Sequence, residues 1–242
     1  MKEELKVFLI RLWPVWLLLF GFPLLSFGLW MIKPEISLDI LVVDKTVPNV
    51  EFREHKSLFW IFDHLKIRKS NGEPYVKETD YLGYFPNGKE DFGSSKDLRG
   101  KSADQIGELV SKLDLIYLAD TYGVYENDFK EVEEGAANPL IYGGLRASEV
   151  ELISSAKEQK KTLIAEYNTM ASPTSPLVRA EFERLMGVKW TGWIARFFDE
   201  LDSVQNTELP KWLLSQYVEQ HENYDLTGPG IIFVKDSGEI EA

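Results

Sequence analysis

Leu12 to Ile32 reads LWPVWLLLFGFPLLSFGLWMI, 21 consecutive residues without a charge. A helix needs about 20 apolar residues to cross the hydrocarbon layer of a bilayer, so this run is long enough to span one. Arg11 and Lys33 bracket it, and Trp13, Trp16 and Trp30 stand near its ends, where interfacial aromatics belong. Pro14 falls in the first turn and costs little, whereas Pro23 is interior and predicts a kink. The rival reading is a cleaved signal peptide. Its apolar core would be shorter and would end at a small-x-small site, whereas this segment ends Leu-Trp-Met-Ile-Lys-Pro. The expectation is a retained single-pass signal-anchor: residues 1–11 as a cytoplasmic tail, 12–32 as the transmembrane helix in the lipid bilayer, and 36–242 as a folded domain. Lys2, Lys6 and Arg11 precede the span closely, while Lys33, Lys45, Arg53 and Lys56 follow it. The first set favours the amino terminus inside and the domain outside the cytoplasm.

Charge narrows the partners. The chain carries a net −12, and residues 1–33 hold four basic residues against two acidic ones, leaving −14 on the other 209. So acidic a body, with no clustered basic stripe, excludes nucleic acid as a partner. The absence of cysteine excludes disulfides, thiolate nucleophiles and Cys-ligated metal centres.

Continuous apolar runs mark buried parallel strands. LDILVV at 38–43 ends in Asp44, and DLIYLA at 114–119 ends in Asp120. TLIA at 162–165 ends in Glu166. Leu58, Phe59, Phe62 and Leu65 recur at helical spacing within 54–66. Residues 67–105 read as an excursion or insertion with one strand near Tyr81–Tyr84, followed by a helix near 102–112. Ser148 and Glu151 form a capping-box pattern that starts a helix at Glu149, with Ala147, Val150, Ile153 and Ala156 inward and Glu149, Glu151, Ser155 and Glu158 outward. Ser175-Pro176 opens another helix and Gly187 closes it, with Val178, Phe182, Leu185 and Met186 on its inner face. A helix at 210–220 and a strand at 230–234 follow; GIIFVKDSGEI reads as one hairpin arm with the second just begun. Strands alternating with helices predict an α/β domain with a doubly wound, Rossmann-like, mostly parallel sheet and helices on both faces.

The order DLIYLAD, then YGGLRASEVELISSAKEQKKTLIAEYN, then LVRAEFERLMGV resembles class I glutamine-amidotransferase-like domains over about residues 113–190. The resemblance implies a flavodoxin-like α/β fold, with a Gly pair (Gly143-Gly144) ahead of a helix and a turn that presents a nucleophilic Cys. Here that turn holds Glu166, Tyr167, Asn168 and Thr169, and the His-x-Glu pair is absent; His221-Glu222 lacks the spacer. Amidotransferase chemistry needs a thiolate and its base, so that activity is excluded. What remains implied is a catalytically different or non-catalytic relative of that fold, such as a membrane-linked version that binds a sugar or peptide.

Ligands of open parallel sheets bind beyond the carboxyl ends of the strands, which makes Asp44, Asp120 and Glu166 the candidate acids. Two of them could serve a hydrolysis, or together hold a divalent cation; alternatively each caps its own loop. Asp44-Lys45-Thr46 is similar to the phosphorylated-aspartate loop of cation-pumping ATPases but continues Val-Pro instead of Gly-Thr. Candidate ligand-binding residues are Thr121, Tyr122, Gly143, Gly144, Tyr167, Asn168 and Thr169, with Trp190, Trp193 and Arg196 as an aromatic platform for a sugar ring. The platform residues serve equally as core. His55, His64 and His221 lack metal-ligand spacing, and His55 is expected on the surface. No cofactor and no resident metal are expected. Three readings stand: a non-catalytic binding domain for an envelope ligand or partner protein, a carboxylate- or metal-dependent glycan hydrolase, and a structural subunit of a membrane complex that uses the tyrosines at 75–85.

Overall fold

The structure is a computed structural model and describes residues 2–87, 93–130 and 138–242; the side chains of Lys2, Leu5 and Tyr167 lie outside that description. In chain order the elements are α1 (Lys2–Arg11), α2 (Trp13–Trp16), α3 (Phe22–Met31), β1 (Ile36–Ser37), β2 (Ile40–Asp44), α4 (Arg53–Leu65), β3 (Ile67–Arg68), β4 (Tyr81–Phe85) and β5 (Ser94–Lys96). Next come α5 (Ala103–Ser111), β6 (Leu115–Asp120), β7 (Val124–Tyr125), β8 (Leu140–Tyr142), α6 (Ala147–Glu158), β9 (Thr162–Ala165) and α7 (Pro176–Met186). The last are β10 (Trp193–Phe198), α8 (Lys211–His221), β11 (Gly230–Lys235) and β12 (Ile240–Glu241). Two compact units divide them, and the boundary falls inside α4: residues 1–39 with 58–75, and 40–57 with 76–242.

The first unit is built on one apolar helix. Trp13–Met31 runs helically for 19 residues at a mean hydropathy of 1.7, with none of it buried. That length and composition fit a membrane anchor and also the apolar core of a signal sequence. Leu17–Gly21 winds as a wider π turn directly before Pro23. Pro23 has no N–H to give Leu19, and its ring would press on that carbonyl, so the ladder loosens there. After the helix, β1 pairs parallel with β3. Phe59 and Phe62 are buried on one side of α4, and the Phe62 ring lies 5.1 Å from that of Tyr75.

The second unit is mixed α/β. Its central sheet has the order β5-β4-β2-β6-β9. β4, β2, β6 and β9 are parallel and β5 is an antiparallel edge. β2 lies at the centre, and Val42 and Val43 are fully buried, which is why the strand reads as a continuous apolar run rather than an alternation. Ile106 and Val110 of α5, Leu152, Ile153 and Ala156 of α6, and Phe182 and Leu185 of α7 pack into one core with Val43, Ile116 and Leu118. Each such aliphatic side chain contributes about 1.5–3 kcal/mol on burial.

Local signals explain the helix boundaries. Ser102 Oγ accepts from Gln105 N, and Gln105 Oε1 accepts from Ser102 N, so α5 opens on a complete capping box. Ser175 Oγ accepts from Val178 N ahead of Pro176, and Gly187 ends α7 at φ 70°. The expected Ser148–Glu151 box is not the one used. α6 begins two residues earlier, at Ala147; Glu149 takes the capping role by accepting from Arg146 N at 2.9 Å, and Ser148 Oγ is buried with no partner among the described residues. Glu149, expected to face out, is buried.

The stretch 67–105, expected as an excursion or insertion with one strand, supplies β4, an inner strand between β5 and β2. The chain beyond Trp193 does not extend the parallel sheet. β10, β11 and β12 form their own antiparallel sheet, packed with α8 around Phe198, Leu201, Leu209, Leu213, Ile232 and Ile240. A single parallel sheet therefore does not cover 36–242.

Gly83 shows how closely β4 and β2 approach. It pairs with Asp44 at φ 155°, and a Cβ there would land on the Asp44 carbonyl oxygen. Gly83→Ala is expected to lower stability by more than about 3 kcal/mol, read as a fall in the denaturation midpoint of the detergent-solubilised chain.

Candidate functional site

The carboxyl ends of β2, β6 and β9 converge with the Gly143-Gly144 turn, as the sequence suggested for an α/β sheet. Three successive residues leave β2, and each ties a different element. Asp44 Oδ2 stands 2.6 Å from His55 Nδ1, with both side chains fully buried. His55 Nε2 faces the Lys77 carbonyl at 2.9 Å and must donate to it, so a single proton is shared between Asp44 and Nδ1. Lys45 Nζ is buried and donates to Gly144 O at 2.8 Å and to Glu149 Oε2 at 3.0 Å. Thr46 N donates to Asp44 Oδ1, while its hydroxyl donates to Asp120 Oδ1 at 2.8 Å and accepts from Gly123 N.

Asp120 is consumed in the same way. Oδ1 also accepts from Tyr122 N at 2.6 Å, and Oδ2 accepts from Asn168 Nδ2 at 2.7 Å. Thr121 is buried, and its hydroxyl donates toward the Asn168 and Thr169 carbonyls. Thr169 is buried as well, and its own hydroxyl has no partner among the described residues. Gly144 N donates to Thr121 O, and Gly144 adopts φ 70°; a Cβ on Gly143 would strike Tyr122 O. The Gly pair is therefore a tight turn in which the Gly144 amide and carbonyl are both engaged within the fold. Tyr122 is exposed and lies beside Tyr125, with ring centroids 4.9 Å apart. Tyr167, whose side chain was also expected at the site, lies outside the described residues.

The other candidates are not at this cluster. Glu166 accepts from the Tyr117 hydroxyl at 2.6 Å, and burial together with that carboxylate pushes the Tyr117 phenol up to about 12. Trp190 Nε1 donates to Asp236, the Trp193 ring lies beneath Lys235 Nζ at 4.9 Å, and Arg196 pairs with Glu208 at 3.0 Å. Both Trp rings are half-buried, on or beside the C-terminal antiparallel sheet. On its outer face Trp193, Ala195 and Phe197 of β10 lie across from Lys235, Phe233 and Ile231 of β11, leaving Phe197 58%, Ile231 45% and Phe233 40% exposed. The platform is thus apolar and two strands wide.

Two participants were missed in the sequence reading. His55, expected on the surface, is the buried partner of Asp44; its only local signal was a position on the same helix face as Phe52 and Phe59. Glu54 is half-buried, and burial, with Asp44 and Asp120 adding repulsion, lifts its carboxyl above the ordinary range. Among the described residues no three His, Asp or Glu side chains gather as metal ligands would. Burial also raises Asp44, against the opposing effects of His55 and the Thr46 amide, and it lowers Lys45 against the pull of Glu149.

Comparison of the chain with family models, curated proteins and solved structures gave no match.

Lys45→Met strands the Glu149 carboxylate in the interior and is expected to cost about 3–5 kcal/mol in denaturant titration, with Lys45→Met/Glu149→Leu recovering a large part. Asp44 also carries a pH signature. Because its folded-state value is raised above 3.8, the stability it contributes is full below that value and is lost as pH rises through the folded-state value. The stability difference between Asp44→Asn and the parent chain should therefore move in favour of Asn from about pH 4 to pH 7.

Proposed function

We propose that the chain is a single-pass membrane protein whose extracytoplasmic α/β domain binds a partner protein or an envelope-related ligand without cutting it. The observation that carries this reading is the consumption of the strand-end acids. Asp44 is sealed against His55, both oxygens of Asp120 accept internal hydrogen bonds, and Glu166 is held by Tyr117 on a different side. A hydrolysis needs a carboxyl that can reach substrate and exchange a proton with it. Asp44 and Asp120 are committed to structure, and the exposed Glu166 is held by the Tyr117 hydroxyl.

The parallel unit is read as a doubly wound, amidotransferase-like domain in which the nucleophile turn holds a hydrogen-bonding loop. The contact surface fits better at the outer face of the C-terminal sheet, where Phe197, Ile231 and Phe233 stand exposed beside the half-buried Trp193. Exposed aromatic patches of this kind are enriched at protein interfaces and also stack on sugar rings. The retained anchor and the outside placement of the domain rest on the length of Trp13–Met31 and on Lys2, Lys6 and Arg11.

One observation favours hydrolysis instead: Glu54, near Asp44 and Asp120 with its carboxyl raised by burial, has the character of a general acid.

Two measurements separate these readings. A reporter fused after Ala242 should be active only outside the cytoplasm; cytoplasmic activity overturns the topology. Phe197→Asp/Phe233→Asp should abolish photo-crosslinking from a probe at position 231 to the partner, or the tryptophan fluorescence response to envelope glycan fragments, without changing the unfolding midpoint. Glycan turnover that disappears in Glu54→Gln would replace binding with hydrolysis.

A further inference from the structure

The first unit contains an apolar face that its own core does not cover. α4 turns Phe59 and Phe62 inward, yet Trp60 is 64% and Ile61 42% exposed on the opposite side. Trp60 stacks on His64 with ring centroids 4.9 Å apart and an interplanar angle of 10°. His64 is in turn joined to the apolar helix, since Trp30 Nε1 donates to its carbonyl oxygen at 2.7 Å. Lys66 fastens the same corner. Its Nζ donates to the carbonyls of Met31 and Lys33, satisfying the end of the helix, and lies 4.8 Å from the centre of the Trp30 ring.

We propose that this outward face of α4, with Trp60, Ile61 and His64, lies in the phospholipid headgroup layer of the leaflet where the apolar helix ends. This rests on the anchor reading and adds to it a second, lateral lipid contact. The dimensions agree. Nineteen helical residues rise about 28 Å, close to the hydrocarbon thickness of about 30 Å, so Trp30 marks one boundary of the hydrocarbon. The headgroup layer beyond it is only about 5–7 Å deep. His64 touches Trp30 and Trp60 lies one helical turn from His64, so both rings fall within that depth. An indole and an imidazole in this layer bury their apolar faces while keeping their N–H groups wet.

Continuity and charge identify lipid as the occupant. A groove of about 690 Å³ runs along the apolar helix through Phe22, Pro23, Ser26, Phe27 and Trp30 and ends at His64, so the surface that would face acyl chains passes without a break into α4. The acidic character of the chain is also suspended here. Between residues 33–39 and 58–75, Lys33, Lys66, Arg68 and Lys69 balance Glu35, Asp39, Asp63 and Glu73, whereas the whole chain stands at −12. Anionic headgroups that repel the rest of the protein would not repel this corner.

The chain has no cysteine, so single spin-labelled cysteines report position directly. Ile61→Cys, Ser26→Cys and Val204→Cys would be placed one at a time in the full chain, reconstituted in bilayers of phosphatidylcholine and phosphatidylglycerol. Collision with oxygen and with a water-soluble nickel chelate gives depth. The probe at 26 should report hydrocarbon, that at 61 the headgroup layer, and that at 204, on a residue 86% exposed, water. Position 61 as aqueous as 204, with 26 still in lipid, overturns this proposal and leaves the anchor intact. All three in water overturns both.

Discussion

The second unit depends on an ion pair that burial makes expensive. Lys45 and Glu149 meet at 3.0 Å, nearly inaccessible to water, and their attraction must offset the loss of hydration of both charges. What makes the pair worth keeping is the number of elements it commits. Lys45 leaves the central strand, Glu149 caps α6, and the same ammonium binds the Gly144 carbonyl of the preceding turn. One buried charge thus sets the distance from β2 to the first turn of α6. Asp44 and Thr46 on either side do the same for His55 of α4 and for Asp120 of β6.

This arrangement also limits the chemistry. The end of a parallel sheet is where reacting groups usually stand, because strand-end side chains and loop amides point into a common crevice. In this chain those groups point at each other. Thr46 bridges the two aspartates, Asn168 and Tyr122 complete Asp120, and Gly144 spends its amide on Thr121 and its carbonyl on Lys45. A cluster so largely satisfied is rigid and selective about its own fold; among the described residues the Thr169 hydroxyl is the group there left without a partner. Glu54 differs in being only half-buried, with a carboxyl raised by burial first and by repulsion from Asp44 and Asp120 second.

Legibility in the sequence follows the range of the interactions. Strands β2, β6 and β9 could be read because burial on both faces leaves a continuous apolar run, and α7 could be read because Ser175, Pro176 and Gly187 are local signals. β4 is legible as a strand near Tyr81–Tyr84 but its inner place in the sheet is not, because YLGYF is short and Gly83 is explained only by the Asp44 backbone it must clear. β10 was taken for an aromatic cluster instead of a strand, since both faces of WIARFF carry apolar residues and no period of two is visible. The charges were the hardest. Glu149 looks like a solvent-facing helix residue until Lys45, 104 positions away, is brought to it, and His55 has no reason to be buried until Asp44 accepts its proton.

The two units spend their charges differently. Around the end of the apolar helix, cations are spent on carbonyl oxygens and aromatic faces, as Lys66 does with Met31, Lys33 and Trp30, and acidic residues are balanced. In the larger unit the excess of acid is left to water, and the one ammonium buried among the described residues, that of Lys45, is matched by Glu149.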